Sequence, residues 1–241
     1  MISWFEPGHV AIVTGGSRGL GKETARLLLE NGVRVVIDGR DANVLETARR
    51  ELSAFGEITA IAGDLSEGDH AHALIAAARA FGRLDLLVNN ASTLGEVPLP
   101  AVEQLTHQTF RRLFDVNVFA PIHLMQHALR LMRTGGGIAT IVNVTSDAAV
   151  QAYPGWGGYG SSKAALEHVS AVFAAELTDE RIRVLVVDPG DMNTQMHRDA
   201  IPGADPSDLR DPAESARALL RAVAEMNERY ERVRFAELVN A

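Results

Sequence analysis

The residues Thr14-Gly15-Gly16-Ser17-Arg18-Gly19-Leu20-Gly21 decide the fold of this chain, because they join a short apolar run to an amphipathic segment. The run covers residues 10–14, and helical periodicity follows over residues 19–31. Glycines let a backbone turn tightly and approach a pyrophosphate, whose charge then meets the free N–H groups of a helix start. The G-x-x-x-G-x-G spacing differs from the G-x-G-x-x-G of many dinucleotide folds. A plain glycine turn is the simpler alternative, but the position after the first strand favours a binding loop.

The same alternation of apolar runs and amphipathic segments continues along the chain. It predicts strands at residues 10–14, 33–38, 58–62, 84–89, 138–145, 182–188 and 233–239. It predicts helices at residues 19–31, 42–54, 68–81, 106–133, 159–177 and 212–227. Near-continuous apolar strands joined by helices indicate an α/β fold with a doubly wound, Rossmann-like parallel sheet. We expect a single domain over residues 1–241, with residues 191–212 as a long, irregular substrate loop.

Composition excludes several classes of protein. The 241 residues are 46% hydrophobic and 22% charged, which is typical of a globular protein. A net charge of -8 is the wrong sign for a surface that binds nucleic acid or an anionic membrane. The absence of cysteine excludes disulfides, thiolate metal sites and cysteine nucleophiles. No apolar run is long enough to span a membrane and no secretory leader is visible, so we expect a cytoplasmic protein.

A second group of residues suggests proton-transfer chemistry. Tyr159 and Lys163 are four residues apart, so they share a face of the predicted helix. An ammonium beside a phenol favours the phenolate, so we expect Lys163 to lower the pKa of Tyr159. Ser146 ends the preceding strand, where its hydroxyl can bond the oxygen of a carbonyl. The simpler alternative is a surface tyrosine–lysine pair.

Together these motifs resemble the short-chain dehydrogenase/reductase family over about residues 10–194. The first loop matches that family's T-G-x-x-x-G-x-G, and Leu87-Val88-Asn89-Asn90-Ala91-Ser92 matches its L-V-N-N-A-G with serine in place of the last glycine. Asn117 matches the helix asparagine of its catalytic tetrad, and Ser146, Tyr159 and Lys163 keep its spacings. Pro189-Gly190-Asp191-Met192-Asn193-Thr194 matches its P-G-x-x-x-T.

The resemblance implies an oxidoreductase that interconverts a carbonyl and an alcohol. Tyr159 would be the general acid or base, Lys163 would lower its pKa, and Ser146 would orient the carbonyl. Asn117 would hold a water that links Lys163 to solvent. The implied cofactor-binding residues are Gly15, Ser17, Arg18, Gly19, Leu20, Gly21, Gly39, Arg40, Asp64, Leu65, Asn90, Tyr159, Lys163, Pro189, Gly190, Met192 and Thr194. The implied substrate-binding residues are Ser146, Tyr153, Trp156 and Tyr159, whereas Asp147 is expected to be only a turn cap.

Two interpretations of cofactor choice compete at the end of the second strand. A generic rule nominates Asp38 for the ribose 2′-hydroxyl of NAD. The family pattern instead puts Gly39 in that position and turns Asp38 away, because side chains alternate along a strand. Arg18 and Arg40 could then clamp a 2′-phosphate. We therefore predict NADP(H), with NAD not excluded.

Rival functions and partners follow from the same motifs. A non-catalytic dinucleotide-binding sensor would usually lack the tyrosine or lysine, and an epimerase or dehydratase would usually be longer. The expected partners are a small carbonyl or alcohol substrate and a second copy of the chain, as a homodimer or homotetramer through the two long helices. The C-terminus lacks the family's usual final segment, which puts the tetramer in doubt. We expect no metal site: His70 and His72 are predicted to be solvated, and His123 and His127 to pack ordinarily on a helix or to lie on a solvated face.

Overall fold

The computed structural model describes residues 5–235, which form one seven-stranded parallel sheet in the order β3-β2-β1-β4-β5-β6-β7. The strands are β1 (Val10–Val13), β2 (Arg34–Gly39), β3 (Ile58–Ala62), β4 (Leu86–Asn89), β5 (Ala139–Val144), β6 (Ile182–Asp188) and β7 (Tyr230–Arg234). The predicted doubly wound, Rossmann-like sheet is confirmed. The first six predicted strands agree with the structure to within two residues at each end.

Helices cover both faces of the sheet. They are α1 (Gly19–Glu30), α2 (Ala42–Leu52), α3 (Gly68–Ala80), α4 (His107–Phe114), α5 (Ala120–Thr134), α6 (Gly157–Glu176), α7 (Gln195–Ala200) and α8 (Pro212–Glu225). One apolar core joins α1, α2 and α8 to the sheet, and a second core joins α3, α5 and α6 to the other face. Residues alternate between the cores along β1, since Ala11 and Val13 lie in the first and Val10 and Ile12 in the second.

The last strand differs from its prediction. It begins at Tyr230, three residues before the predicted start, and pairs in parallel with β6. Residues 236–239 of the predicted strand lie outside the described residues. Its sequence, Tyr-Glu-Arg-Val-Arg, mixes apolar and charged residues, which suits a strand at one end of the sheet with half-buried side chains.

The single helix predicted over residues 106–133 is interrupted. A π-helical turn, Asp115–Phe119, separates α4 from α5, and Asn117 is buried in that turn. Apolar periodicity runs across the turn without a break, so it carries no signal for one extra residue per turn. Such bulges occur frequently at functional sites.

The segment predicted as an irregular loop over residues 191–212 contains regular structure. Thr194 caps α7 by accepting a hydrogen bond from the His197 amide. A 3₁₀ turn, Pro206–Asp208, follows, and a β-bridge joins Met192 to Arg210 at the base of the segment. These pieces are too short to show a periodic pattern in the sequence.

The topology places the functional loops at one edge. Strand order reverses between β1 and its neighbours β2 and β4, which is where parallel α/β sheets open a crevice at the carboxyl ends of their strands. Val13 pairs with Val88, so the glycine loop and the Asn90 segment leave the sheet side by side. Within residues 5–235, none of the helices combines the length and apolar character needed to cross a lipid bilayer.

Candidate active site

A cleft of about 1390 Å³ opens at the carboxyl edge of the sheet, from the glycine loop to Tyr159. Every predicted cofactor residue except Gly21 lines it, and Gly21 lies buried in the loop itself. Of the predicted substrate residues, Ser146, Trp156 and Tyr159 line the cleft. The structure therefore brings together the catalytic and cofactor residues that the motifs predicted, although they span 180 positions of sequence, from Gly15 to Thr194.

The glycine loop is shaped to hold an anion. Gly15 and Gly19 have φ angles of +66° and +53°, which side chains other than glycine rarely adopt. A Cβ on Gly21 would lie 2.4 Å from the Gly15 carbonyl oxygen, so this approach also requires glycine. No side chain caps the start of α1, and its first turn contains no acidic residue. The amide groups there are free for a pyrophosphate, so the loop fits a dinucleotide.

Asp38 is used inside the protein. Its carboxylate is buried and accepts a hydrogen bond from the Gly15 amide at 2.6 Å. Its second oxygen lies 3.0 Å from Nε2 of His70. The prediction that His70 is solvated is therefore wrong: the start of α3 packs beneath β2 and β3, and a Cβ on Gly63 would touch the imidazole. His72 is exposed, as predicted.

Two arginines at the mouth of the cleft are available to a ligand. Arg18 and Arg40 are exposed, and neither guanidinium has a hydrogen bond or acidic partner in the part of the chain that the structure describes. Gly39 lies between β2 and the loop, where a Cβ would come within 3.2 Å of the Ser17 hydroxyl. This end of the cleft therefore presents positive charge around a small residue.

Side-chain bonds hold the end of the cleft formed by Asp64, Leu65 and Asn90. Although burial opposes it, hydrogen bonds from Arg112 and Ser66 lower the pKa of Asp64 to about 2. Leu65 is half-buried beside it. Asn90 donates from its side-chain amide to the Thr14 carbonyl at 2.7 Å, so it fastens the β4 end to the glycine loop.

The tyrosine–lysine pair is buried at the floor of the cleft. Nζ of Lys163 donates to the Val144 carbonyl at 2.8 Å and lies 5.6 Å from the centre of the Tyr159 ring. Burial lowers the pKa of Lys163 to about 8. Burial also raises the pKa of Tyr159 well above its usual range, and the Asp188 and Asp147 carboxylates add to this rise.

That Lys163 lowers the pKa of Tyr159 stays a prediction, because desolvation of the buried phenolate raises the net pKa of the phenol. Desolvation of a buried phenolate is the largest effect, and the lysine ammonium points to a backbone carbonyl instead of the phenol oxygen. The consequence is chemical: at neutral pH Tyr159 is a neutral phenol, which is the protonation state of a proton donor.

Asn117 is fully bonded within the π-helical turn. Its side-chain oxygen accepts from the Thr93 amide at 2.8 Å and from the Ser92 hydroxyl at 3.0 Å. Its side-chain nitrogen donates to the Thr93 carbonyl and to the Ser162 hydroxyl. The side chain thus ties the segment after β4 to helix α6, next to the tyrosine.

Ser146 and Tyr153 share a carboxylate. The Ser146 hydroxyl donates to Asp147 at 3.0 Å, and the Tyr153 hydroxyl donates to the other Asp147 oxygen at 2.8 Å. Tyr153 is 40% exposed and is not among the cleft-lining residues, in contrast to the predicted pocket role. Asp147 lines the cleft, and the predicted cap role is wrong, because Ser146 caps the following turn by accepting from the Ala148 amide. The one sequence signal for the hydrogen bond between Ser146 and Asp147 is that the two residues are adjacent.

The loop after β6 closes the cleft from the other side. Gly190 has a φ of +70°, and its amide donates to the Asp188 carboxylate at 3.1 Å. A Cβ on Gly19 would lie 3.3 Å from the Thr194 methyl group, so this loop meets the glycine loop directly. Burial raises the pKa of Asp188, a residue that the motif comparison missed because it belongs to the apolar pattern of a strand.

Beyond the tyrosine, the cleft becomes apolar. Trp156 meets Tyr159 nearly edge-on with ring centres 5.6 Å apart. Leu94, Met196 and Ala200 pack in the same small cluster. This wall is formed by α6 and α7 together, and it suits the uncharged body of an organic substrate.

No metal centre accompanies this site. Within residues 5–235, no group of three or more histidine, aspartate or glutamate side chains is arranged to hold a metal ion. His127 packs against His72 with ring centres 4.3 Å apart, and its pKa is lowered by burial and by the neighbouring histidines.

A parallel sheet with a glycine loop at its switch point and a buried tyrosine–lysine pair defines a nicotinamide-dependent oxidoreductase. The family model for the short chain dehydrogenase matches residues 9–204, and the chain belongs to this family. It is an enzyme of the kind that acts on carbonyl and alcohol groups.

Known relatives support this assignment. The chain is 38% identical over 203 residues to the rhamnolipids biosynthesis 3-oxoacyl-[acyl-carrier-protein] reductase of Pseudomonas aeruginosa, covering 79% of this chain and 75% of the relative. It matches the structure of the Pseudomonas aeruginosa RhlG/NADP active-site complex with a TM-score of 0.82 and 32% identity, over 96% and 97% of the two chains. It matches a 7α-hydroxysteroid dehydrogenase complexed with NADH and 7-oxo glycochenodeoxycholic acid with a TM-score of 0.84 and 29% identity, over 94% and 93%.

Proposed function

We propose that this protein is an NADP(H)-dependent oxidoreductase that reduces a carbonyl group, with Tyr159 as the general acid. The observation that carries the proposal is a contrast within one cleft. Arg18 and Arg40 are exposed and unpaired among the described residues at one end, while a neutral, buried phenol lies at the other. The first feature suits a phosphate, and the second suits proton donation.

The chain's own residues supply the proton and the position of the substrate. The reduced nicotinamide, when bound, delivers hydride to the carbonyl carbon. Tyr159 gives its proton to the carbonyl oxygen, and Ser146 donates a hydrogen bond to the same oxygen by turning from Asp147. Lys163 carries the positive charge that offsets the phenolate left behind. In the oxidative direction, the same groups act in reverse.

NADP(H) is preferred in this proposal because of charge at the mouth. Arg40 and Arg18 are placed to bond a 2′-phosphate, and Gly39 has no carboxylate that would repel it. Asp38 would oppose that phosphate only if its carboxylate were free, and it is already held by Gly15 and His70. Similar structures include an NADP complex and an NADH complex, so proteins with this fold bind either cofactor.

The proposed assembly is a homodimer formed through α4, α5 and α6. Phe110, Phe119 and Val172 are 38%, 51% and 42% exposed on this side of the molecule, which is unusual for large apolar side chains. Two copies related by a two-fold axis would cover these residues with the same residues of the partner. A single 25.9 kDa species in sedimentation at micromolar concentration would contradict it.

The proposed activity is tested with a panel of uncharged ketones and aldehydes. The protein is mixed with each carbonyl and either NADPH or NADH, and loss of nicotinamide absorbance is followed. We expect turnover with apolar carbonyls and a higher kcat/KM for NADPH. Tight binding of NADPH without turnover of any carbonyl would favour the dinucleotide sensor instead.

A further inference from the structure

A second cavity, of about 480 Å³, lies where helix α3 packs beside helix α5. Four of its lining side chains are arginine or histidine: His72 and Arg79 from α3, and His127 and Arg130 from α5. Within residues 5–235, none of the residues that line this α3–α5 cavity is acidic. It is separate from the active-site cleft, because the two share no lining residue.

Helical spacing brings these side chains to one place. His72, Ala76 and Arg79 are at positions i, i+4 and i+7 of α3, so they share one face of that helix. His127 and Arg130 are three residues apart and share a face of α5. The imidazoles of His72 and His127 meet between the helices, with ring centres 4.3 Å apart. Two helices therefore turn the same kind of side chain toward one space.

Both helices lack carboxylates around this space. The sequence has no aspartate or glutamate over residues 70–84 or over residues 116–146. Asp69 is the one acid of α3, a turn before His72, and it does not line the cavity. The whole chain has more acidic than basic residues, 31 against 23. An acid-free cavity with two arginines therefore stands apart from the rest of the molecule.

The two arginines are free to bind a ligand. Arg79 and Arg130 are exposed, and neither guanidinium has a hydrogen bond or an ion pair within residues 5–235. Arg83, only four residues after Arg79, differs because it donates to the Asp85 carboxylate at 2.6 Å. A guanidinium presents several donors in one plane and matches the oxygens of a phosphate.

The imidazoles complete the site. Nδ1 of His72 lies 3.2 Å from the Gly68 carbonyl oxygen, which only accepts, so Nδ1 carries the proton and Nε2 is left for a ligand. Burial lowers the pKa of His127, and the charges of His72 and His123 lower it further. An anion between the rings would relieve this repulsion and favour the protonated imidazoles, which donate from both nitrogens.

We propose that the α3–α5 cavity binds a phosphate-type dianion, held by Arg79 and Arg130 together with His72 and His127. The guanidinium groups donate to the anion's oxygens, and the imidazoles add charge-assisted bonds when they are protonated. Ile75 also lines the cavity and provides an apolar surface for the organic part of a phosphate monoester. This site goes beyond the proposed function, and its test needs no turnover.

Proton NMR of the imidazole C–H signals tests the site, with sulfate as the probe. Sulfate stays doubly charged across the pH range in which histidine titrates. The chain has eight histidines, so His72→Gln and His127→Gln assign the two signals. Relative to chloride at the same ionic strength, sulfate should raise both titration midpoints by about one pH unit. By linkage, sulfate should bind more tightly as the pH falls through that range.

Two double variants locate the effect. Arg79→Gln with Arg130→Gln should abolish the sulfate-dependent shift, because it removes both guanidinium groups from the cavity. Arg18→Gln with Arg40→Gln is the matched control, since it removes two exposed arginines from the cleft instead. The control should keep the full shift. All four arginines are exposed, so both double variants should unfold close to the wild-type Tm.

Two results would overturn the proposal. The first is a wild-type protein whose His72 and His127 midpoints are the same in sulfate and in chloride, which is also expected if sulfate binds only at Arg18 and Arg40. The second is a shift that survives the loss of Arg79 and Arg130.

A comparison of phenyl phosphate with inorganic phosphate at one pH identifies the source of the dianion. A lower Kd for phenyl phosphate, measured from the same His127 signal, would indicate an organic phosphate that also contacts Ile75. Equal Kd values would indicate free inorganic phosphate as the ligand of the site. A signal that responds to neither compound would overturn the proposal.

Discussion

The two ends of the cleft carry charge in opposite ways. At the mouth, Arg18 and Arg40 are exposed, and neither guanidinium has a hydrogen bond or an acidic partner within residues 5–235. At the floor, Tyr159 and Lys163 are buried, and burial displaces both of their pKa values toward the neutral form. Recognition of the cofactor at the mouth therefore depends on residue type and position. Proton transfer at the floor depends on contacts between elements distant in sequence.

Removing the phenol should have the largest effect. Tyr159→Phe should lower kcat by about two to four orders of magnitude, because the carbonyl oxygen loses its proton donor. NADPH binding, measured by nicotinamide fluorescence, should persist, since the glycine loop and both arginines are unchanged. Tyr230→Phe, on the edge strand β7, is the control and should keep its turnover. Comparable kcat values for the two variants would place the proton donor elsewhere.

Removing one charge at the mouth should affect binding alone. Arg40→Ala should raise the KM for NADPH by about ten- to a hundredfold, the range for a hydrogen bond to a charged group. The KM for NADH and the kcat with either cofactor should stay close to wild type. Arg130→Ala, an exposed arginine on α5 outside the cleft, controls for the general loss of positive charge. Equal losses for both cofactors would show that Arg40 does not bind the 2′-phosphate.

Asp38 is a buried carboxylate at the mouth of the cleft, beside the exposed arginines, so its replacement separates an effect on folding from an effect on cofactor choice. Asp38→Ala should destabilise the fold by about 1–3 kcal/mol, since it leaves the Gly15 amide and His70 without their partner. Asp38→Asn should lose less, because an amide can bond both groups. Thermal unfolding measures the loss, and the ratio of NADPH to NADH preference should stay constant in Asp38→Asn. A shift of Asp38→Asn toward NADPH would mean that the carboxylate faces the ribose.

The smallest expected effect is a pH dependence of stability from Lys163. Its pKa is about 8 in the folded protein and 10.5 in the reference state, so the unfolded chain binds the proton more tightly. The free energy of unfolding therefore rises with pH between about 8 and 10.5. Below pH 8 the buried lysine is charged, and its desolvation destabilises the folded protein in full. As the pH is raised from about 8 to 10.5, the Tm of the wild-type protein should rise relative to that of Lys163→Met. A constant difference would contradict the lowered pKa of the buried lysine.

Sequence predicts the frame of the site well, for physical reasons. Strand β6 matches its predicted bounds because a buried parallel strand is a nearly continuous apolar run between polar ends, and the half-buried strand β3 matches because Glu57 and Gly63 bound its five residues. The glycine loop is predictable because Gly15 and Gly19 occupy backbone conformations that exclude other residues. Of the four residues named from motif spacing as a catalytic tetrad, Ser146, Tyr159 and Lys163 line the cleft, and Asn117 lies buried behind it, bonded to the cleft-lining residues Ser92 and Thr93.

What sequence could not predict are bonds between distant segments. The partnership of Asp38 with His70 joins residues 32 positions apart, and His70 on its own reads as an ordinary polar residue at a helix start. The π-helical turn around Asn117 leaves the apolar pattern of the helix unchanged. Burial and three side chains from other segments set the direction of the Tyr159 pKa shift, and the spacing of Tyr159 and Lys163 carries no signal for them.

Carbonyl reduction with Tyr159 as the proton donor is tested most directly by following deuterium from the cofactor to the product. The wild-type enzyme is given NADPH deuterated at the transferable position of the nicotinamide ring, together with a ketone that it turns over. If hydride passes from the nicotinamide to the carbonyl carbon, the alcohol will carry one deuterium on its carbinol carbon. The Tyr159→Phe variant should form almost none of this alcohol. NADPH oxidation without deuterium on that carbon, or deuterated alcohol formed equally well by Tyr159→Phe, would contradict it.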